Sequence, residues 1–233
     1  MRTIILLISM KCRIHLDGQD IFVEVDWMTG HRMLETSQNL VIRAFGRHNI
    51  TLHIDDGCMG GGNELKGDEK RQTYIVNFFY KVVEKTFSTA RLGIFHHAYI
   101  SSLRGSHNEL GFTICSSDNV SDGDDIFILC GGIRQIASDR DDITEDVLLA
   151  HTFMHELGHN LGLVPKGYKP VPFEGIDSDY PASYRSCMNY NTSLIGLVDY
   201  SDGARTIINN GHDFDDWGHI ILKRVATSWK VFE

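Results

Sequence analysis

An α+β fold, built on a twisted mixed β-sheet with helices backing it, is what the order of hydrophobic patterns along this chain predicts. Three observations lead there. Strand-like and helix-like segments alternate through the first part of the chain, three strand-like runs then follow one another, and a helix comes after them. The resulting order is β-α-β-α-β-β-β-α.

Each element has its own warrant. Ile21-Phe22-Val23-Glu24-Val25-Asp26-Trp27 alternates with the period of two that a strand shows, and from Leu34 to His48 the residues Leu40, Val41, Ala44 and Phe45 recur at helical spacing. Ile50-Thr51-Leu52-His53-Ile54-Asp55 reads as the second strand. The Gly-rich stretch from Gly57 to Gly62 lacks the G-x-x-x-x-G-K-S/T order of a phosphate cradle and reads as a turn or surface excursion. A second helix is expected over Thr73 to Thr86, with Ile75, Phe78, Phe79, Val82 and Val83 facing inward. Strand-like runs follow at Leu92 to Ile100, Leu110 to Cys115 and Asp125 to Cys130. Asp142-Ile143-Thr144-Glu145 reads as a capping box that starts the next helix, and Asp139, Asp141 and Asp142 suit the positive end of its dipole. Near the end, Asp213-Phe214-Asp215-Asp216-Trp217 opens a terminal helix running to Trp229, packed under the cleft by Ile220, Ile221, Val225 and Trp229.

Composition sets outer bounds. With 233 residues, 42% of them hydrophobic, the chain can bury one sizeable core, so residues 1–233 are read as a single domain. A cleft divides it into a lobe over 1–162 and a smaller irregular lobe over 163–233. A net charge of -9 with no basic stripe argues against nucleic acid as a partner. No segment reaches the roughly 20 apolar residues that a membrane span requires. The apolar run from Thr3 to Met10 is short for a signal peptide, lacks a small-x-small cleavage site, and reads equally as a buried strand. Cys12, Cys58, Cys115, Cys130 and Cys187 contain no C-x-x-C pair, which excludes a zinc ribbon or a redox motif; most are expected as buried free thiols. The loop from Ser117 to Asp125 carries enough Asp to suggest Ca2+, but Val120 stands where a ligand belongs, so a solvated acidic turn is the preferred reading.

Chemistry concentrates in His155-Glu156-Leu157-Gly158-His159. On a helix, positions i and i+4 share a face, so the imidazoles of His155 and His159 can hold one metal ion while Glu156 reaches a water beside it. The apolar run Val147-Leu148-Leu149-Ala150 leads into the motif and gives that helix a side to bury. His151 extends the series, yet at 1.5 Å rise per residue positions eight apart lie about 12 Å apart along the axis, so it is read as a supporting or core residue. His96 and His97 are neighbours in a strand and face opposite ways, which excludes them as a ligand pair.

The segment from His155 to Gly162, together with Ser186-Cys187-Met188-Asn189-Tyr190, resembles the metzincin clan of zinc peptidases. The second segment is similar to the S-x-M-x-Y methionine turn of astacin-like and serralysin-like branches. The resemblance implies a metzincin-like α+β fold with an active-site helix, followed by an irregular lobe ending in a helix. It implies one catalytic Zn2+ and an endopeptidase acting on proteins or peptides, with Glu156 as general base. Met188 would be the floor below the metal, and Tyr190 would reach toward the metal or the oxyanion. The Leu110 to Ile114 edge would receive an extended substrate, and an extracellular location is favoured. In one respect the chain departs from the pattern: Pro165 occupies the position of the third metal ligand. Catalytic zinc sites use three protein groups, so another residue is required. Asp177, in Phe173-Glu174-Gly175-Ile176-Asp177-Ser178, is the chosen candidate, with Glu174, Asp179, His212 and His219 as alternatives. Two rival readings follow from the same residue. One is a catalytically degenerate relative acting as a binding module. The other is a thermolysin-like site with a downstream glutamate ligand, against which the methionine turn speaks.

Overall fold

The structure is a computed structural model that describes residues 19–66, 86–104, 109–115, 123–163, 184–190, 192–207, 211–212 and 214–222. Strand β1 (Asp20–Met28) is followed by helix α1 (Glu35–Gly46), β2 (Thr51–Asp55) and the short β3 (Glu64–Leu65). Then come β4 (Phe95–Ser101), β5 (Gly111–Cys115), β6 (Gly123–Leu129), α2 (Cys130–Asp139) and α3 (Glu145–Asn160). The C-terminal part holds a two-stranded ribbon of β7 (Thr206–Ile207) and β8 (Gly211–His212), then α4 (Asp216–His219). The main sheet has the order β2-β1-β4-β6-β5, with β3 paired to the far end of β1. All pairings in it are parallel except β5 with β6, so the antiparallel strand lies at one edge. The mixed α+β sheet expected from the sequence is present.

Alternation along β1 separates two unlike layers. Ile21, Val23, Val25 and Trp27 point to the face covered by α1 and α3, where Val41, Ala44, Phe45, Leu148, Phe153 and Leu157 join one continuous core. The opposite face carries Met28, Phe95, Tyr99 and Phe127 with Met59 and Phe87, and among them the buried ionisable groups Glu24, Asp26 and His97. Burying charge without a partner is costly, and each of these has one. Arg91 places Nη1 at 2.6 Å from Glu24 and 2.7 Å from Asp55, donates Nη2 to the Met59 carbonyl, and lies over the Phe95 ring. Asp55 also accepts the backbone amides of Gly57, Met59 and Gly61. The Gly-rich loop is a bend with Gly57 and Gly60 at the surface and Met59 and Gly61 buried. It closes over a buried ion cluster, and at Gly61 a Cβ would run into both Arg91 and Glu24.

A second buried pair lies beside the first. His97 Nε2 is 3.1 Å from Asp26 Oδ2, its Nδ1 is 3.8 Å from Asp125, and Asp26 accepts bonds from the Asn63 amide and the Thr86 hydroxyl. Burial alone would raise the Asp26 pKa, but the bond to His97 and its charge outweigh that and hold it below 3.8. For His97 burial alone would lower the value, and Asp26, with Asp125 and Glu24, raises it above 6.5.

Several expectations are corrected. β4 starts at Phe95 rather than Leu92, because Ser88 caps a 3-10 turn at Thr89–Arg91 that aims Arg91 into the ion cluster. Helix α2 was not expected, since Gly131 and Gly132 disfavour helix. Gly131 allows close approach to the chain leaving β4, and Gly132 to the chain entering β5: a Cβ would lie 2.6 Å from the Ser102 carbonyl at the first and 3.2 Å from the Glu109 carbonyl at the second. The cap of α3 is Thr144, whose side chain accepts from the Val147 amide at 3.4 Å, not Asp142, which is paired with Arg140. The acids in its first turn are Glu145 and Asp146, while Asp139 accepts from Gln135. Helix α4 is short: Asp215 caps it through the Gly218 amide, and Ile220 is already extended. Ile221 is exposed, so it does not pack as expected. Cys58 is disulfide-bonded, whereas Cys130 and Cys187 are the buried free thiols that were anticipated. The expected helix at 73–86 (all but Thr86), the run 3–10, most of the acidic loop 117–125, and Val225 and Trp229 lie outside the described residues. Among the described residues no helix is long and apolar enough to cross a membrane.

The ion clusters give two expected outcomes. A raised His97 pKa means its share of stability is full below 6.5 and is lost as pH rises through the folded value, whereas the lowered Asp26 value gives a share present above 3.8 and lost toward acid. Urea midpoints of the native chain should therefore decline on the alkaline side of 6.5, and His97→Gln should have lower midpoints below that pH and a flatter profile above it. Arg91→Met leaves Glu24 and Asp55 without their cation and should cost about 3–5 kcal/mol in the same measurement.

Candidate metal centre

Helix α3 owes its place to one buried side. Leu148, Leu149, Phe153, Met154 and Leu157 enter the main core, while His155 and His159 are half-buried on a side that opens outward. How the helix ends matters as much as how it starts. Gly162 adopts φ +96, and the amides of Gly162 and Leu163 bond back to the carbonyls of His159 and Gly158 at 3.0 and 2.8 Å. That is a Schellman ending, which needs a residue at ease with positive φ. It turns the chain so that the Leu163 carbonyl returns to the helix and meets His159 Nδ1 at 2.8 Å.

The other imidazole is held from a different element. Ser186 starts a tight turn: its hydroxyl accepts the Met188 amide, its carbonyl accepts the Asn189 amide, and the Asn189 side chain ties back to the Tyr184 carbonyl. Cys187 donates its amide to the Asp199 carbonyl and offers its own carbonyl to His155 Nδ1 at 2.7 Å. Below the turn, Met188 is buried against Gly158, where a Cβ would lie 2.5 Å from the Met188 sulfur. Tyr200 secures the same stretch by donating its hydroxyl to the Met154 carbonyl at 2.6 Å.

These two anchors decide the protonation of the pair. A carbonyl only accepts, so each Nδ1 must carry the proton, and each Nε2 is left with a lone pair. The two Nε2 atoms stand 3.1 Å apart with their rings nearly perpendicular. Burial holds His155 well below 6.5, with the neighbouring His159 lowering it further, and burial lowers His159 as well. Two neutral nitrogens aimed at one point repel unless a cation lies between them. Zinc–nitrogen bonds of ~2.0–2.1 Å in a tetrahedral set put two nitrogens about 3.3 Å apart, so the observed spacing fits Zn2+.

One further group borders this point. The Tyr190 hydroxyl is 3.5 Å from His159 Nε2, and the ring stands edge-on to His155 with centroids 5.1 Å apart. Tyr190 is 40% exposed, so it bounds the site on the open side. Glu156 turns the other way round the helix, toward the edge strand, where Thr113 Oγ1 donates to its Oε2 at 2.9 Å. Burial pushes the Glu156 carboxyl up to about 8, opposed by the Thr113 bond and assisted by Glu109. A divalent cation nearby would favour its ionised form.

Of the residues singled out by sequence, His155, His159 and Tyr190 come together on α3 and the turn facing it, while Glu156, next to His155 in the chain, faces Thr113 on the edge strand. Asp177, Glu174, Asp179 and Pro165 lie outside the described residues, as does the side chain of His212. His219 stands on α4, bonded to the Asp215 carbonyl and tilted against Phe214. His151 bonds to the Leu197 carbonyl at 2.7 Å, with its ring 6.5 Å from that of His155. It pins the helix to the segment around Leu197 and stands apart from the Nε2 pair. Among the described residues no cluster of three or more His, Cys, Asp and Glu forms a metal set, so the two imidazoles and the Tyr190 phenol are the donors gathered here. Sequence reading missed Thr113 and the two carbonyl anchors, for which no motif exists. No family model matches the chain, and no curated protein matches it either.

Gly158→Ala tests the floor of this site. The new methyl would lie 2.5 Å from the Met188 sulfur and 3.1 Å from the Tyr200 ring, so the Met188 side chain, next to the Cys187 carbonyl in the turn, must shift. Zinc affinity is expected to fall by at least ~10-fold, as when groups supporting a ligand are lost, and stability by about 1–3 kcal/mol. Competition titration with a chelator and urea unfolding measure the two effects.

Proposed function

We propose that this chain is a zinc-dependent endopeptidase of the metzincin type, a single catalytic domain over residues 1–233 that hydrolyses peptide bonds in proteins or peptides. The observation that carries the proposal is the pair of anchored imidazoles, whose lone pairs meet at a spacing of 3.1 Å on one turn of α3, with Glu156 adjacent in the chain. His155 and His159 would hold the metal, with Asp177 proposed as the third protein ligand in place of Pro165. The methionine turn with Met188 below Gly158 supports the metzincin assignment. The disulfide at Cys58 supports an oxidising, extracellular setting.

When bound, zinc supplies Lewis acidity, lowering the pKa of a water toward roughly 7 and polarising a carbonyl. Glu156 takes the proton from the attacking water and delivers it to the leaving amine. Tyr190, on the open side, donates its hydroxyl to the developing oxyanion. Among the described residues β5 is the edge strand of the sheet on the side of α3, and an extended peptide would add to it through main-chain bonds. Such docking accepts many side chains and fits a protein substrate.

Pro165 favours one second reading, a binding module that has kept the site and lost catalysis. Zinc content and hydrolysis of a generic unfolded protein separate the two. The peptidase reading expects one zinc per chain and cleavage; full zinc with no cleavage selects the module, and no zinc removes both. Within the enzyme, Glu156→Gln should keep its zinc and lose roughly 10²–10⁴-fold in kcat/KM. His155→Ala and His159→Ala should each lose the metal.

A further inference from the structure

We propose that Thr113 is a positioning residue for Glu156: its hydroxyl, carried by the edge strand, sets the direction in which the carboxylate presents its oxygens. The inference rests on the peptidase reading above and adds to it a residue outside both sequence motifs. Successive residues of β5 face opposite ways. Phe112 stacks on Phe127 on the far face, with centroids 4.6 Å apart and planes 5° from parallel. Gly111 and Thr113 therefore share the face toward α3, and both meet Glu156 there.

Their parts are complementary. At Gly111 a Cβ would lie 2.9 Å from Glu156 Oε1, 2.9 Å from Thr152 Cγ2 and 2.7 Å from the Phe127 carbonyl, so glycine leaves the space the carboxylate occupies. Thr113 Oγ1 then lies 2.9 Å from Oε2 and 3.2 Å from the Glu156 main-chain carbonyl. One hydroxyl has one proton, and the carboxylate is both nearer and the stronger acceptor. Glu156 is 4% exposed, so water cannot substitute for this partner freely. Thr113 also belongs to the strand whose outer edge would take the substrate, so a single backbone segment fixes both the general base and the scissile chain.

Steady-state kinetics on the zinc-loaded full chain tests the role. Thr113→Val keeps shape and strand propensity while removing the hydroxyl; Thr113→Ser keeps the hydroxyl. The valine variant is expected to lose at least ~10-fold in kcat, with KM and zinc content near those of the native chain, and serine should restore most of the rate. A valine variant that unfolds at lower urea but turns over at the native kcat would show a purely structural hydroxyl and overturn the proposal. A serine variant as slow as valine would do the same. If valine fails to fold, Thr113→Ala against Thr113→Ser makes the same comparison, and equal kcat values overturn it. A native chain that holds zinc but cleaves nothing fails the peptidase reading itself, a result distinct from any difference among the variants.

Discussion

Two hydrogen bonds from imidazole Nδ1 to main-chain carbonyls, His155 to Cys187 and His159 to Leu163, govern what this site can be. Each fixes a tautomer, and together they aim two lone pairs at one point. Neither carbonyl belongs to the helix that carries the histidines. The first comes from the turn at Ser186 to Tyr190, the second from the chain just past the Schellman ending at Gly162. The pair therefore records the correct assembly of three segments. A helix with the same five residues but a different ending would leave the His159 ring without its carbonyl anchor.

The sheet beneath that assembly is built from two kinds of cohesion. On the α1 and α3 face it is apolar packing, continuous from Ile21 to Leu157. On the other face, Arg91 bridges Glu24 and Asp55, and His97 lies between Asp26 and Asp125, inside an aromatic surround. Buried ion pairs add little net stability when complete and cost much when broken, so this face acts as a check on arrangement. The Gly-rich loop can close only if Asp55 collects its three amides and Arg91 reaches between Glu24 and Asp55. The apolar face, by contrast, tolerates exchange of similar side chains and holds α3 against the strands that flank it.

Those two modes explain what could be read from the sequence. β1, α1 and β2 were legible because their apolar residues follow a period set by the backbone, and burial on one face preserves it. The histidine pair was legible because i and i+4 on a helix is a geometric statement in itself. Helix α2 was hidden by Gly131 and Gly132, whose local preference is overridden by close contact with Ser102 and Leu103 at the first and with Glu109 and Leu110 at the second. The cap at Thr144 was misplaced by two residues because Asp142 is an equally good cap, and only its ion pair with Arg140 removes it from the competition. The ion clusters escaped for another reason: Glu24, Asp26 and His97 look like the solvated half of an alternating strand until loop and turn cover them.

Main-chain groups set the limit of what residue identity could reveal about the site. Cys187 and Leu163 act through their carbonyls, which every residue has, so their side chains carry no trace of the task. Pro165 is the instructive counterpart. It follows Gly162 by three positions, where proline commonly stops a helix from continuing. Proline has no side-chain lone pair to offer, so the residue type at that position cannot be a metal donor. The same Schellman turn that a donor in the next few residues would have followed is needed to bring the Leu163 carbonyl onto His159. In this chain, then, the turn serves to orient His159 through the Leu163 carbonyl, and the Tyr190 phenol reaches the same nitrogen from another element at 3.5 Å.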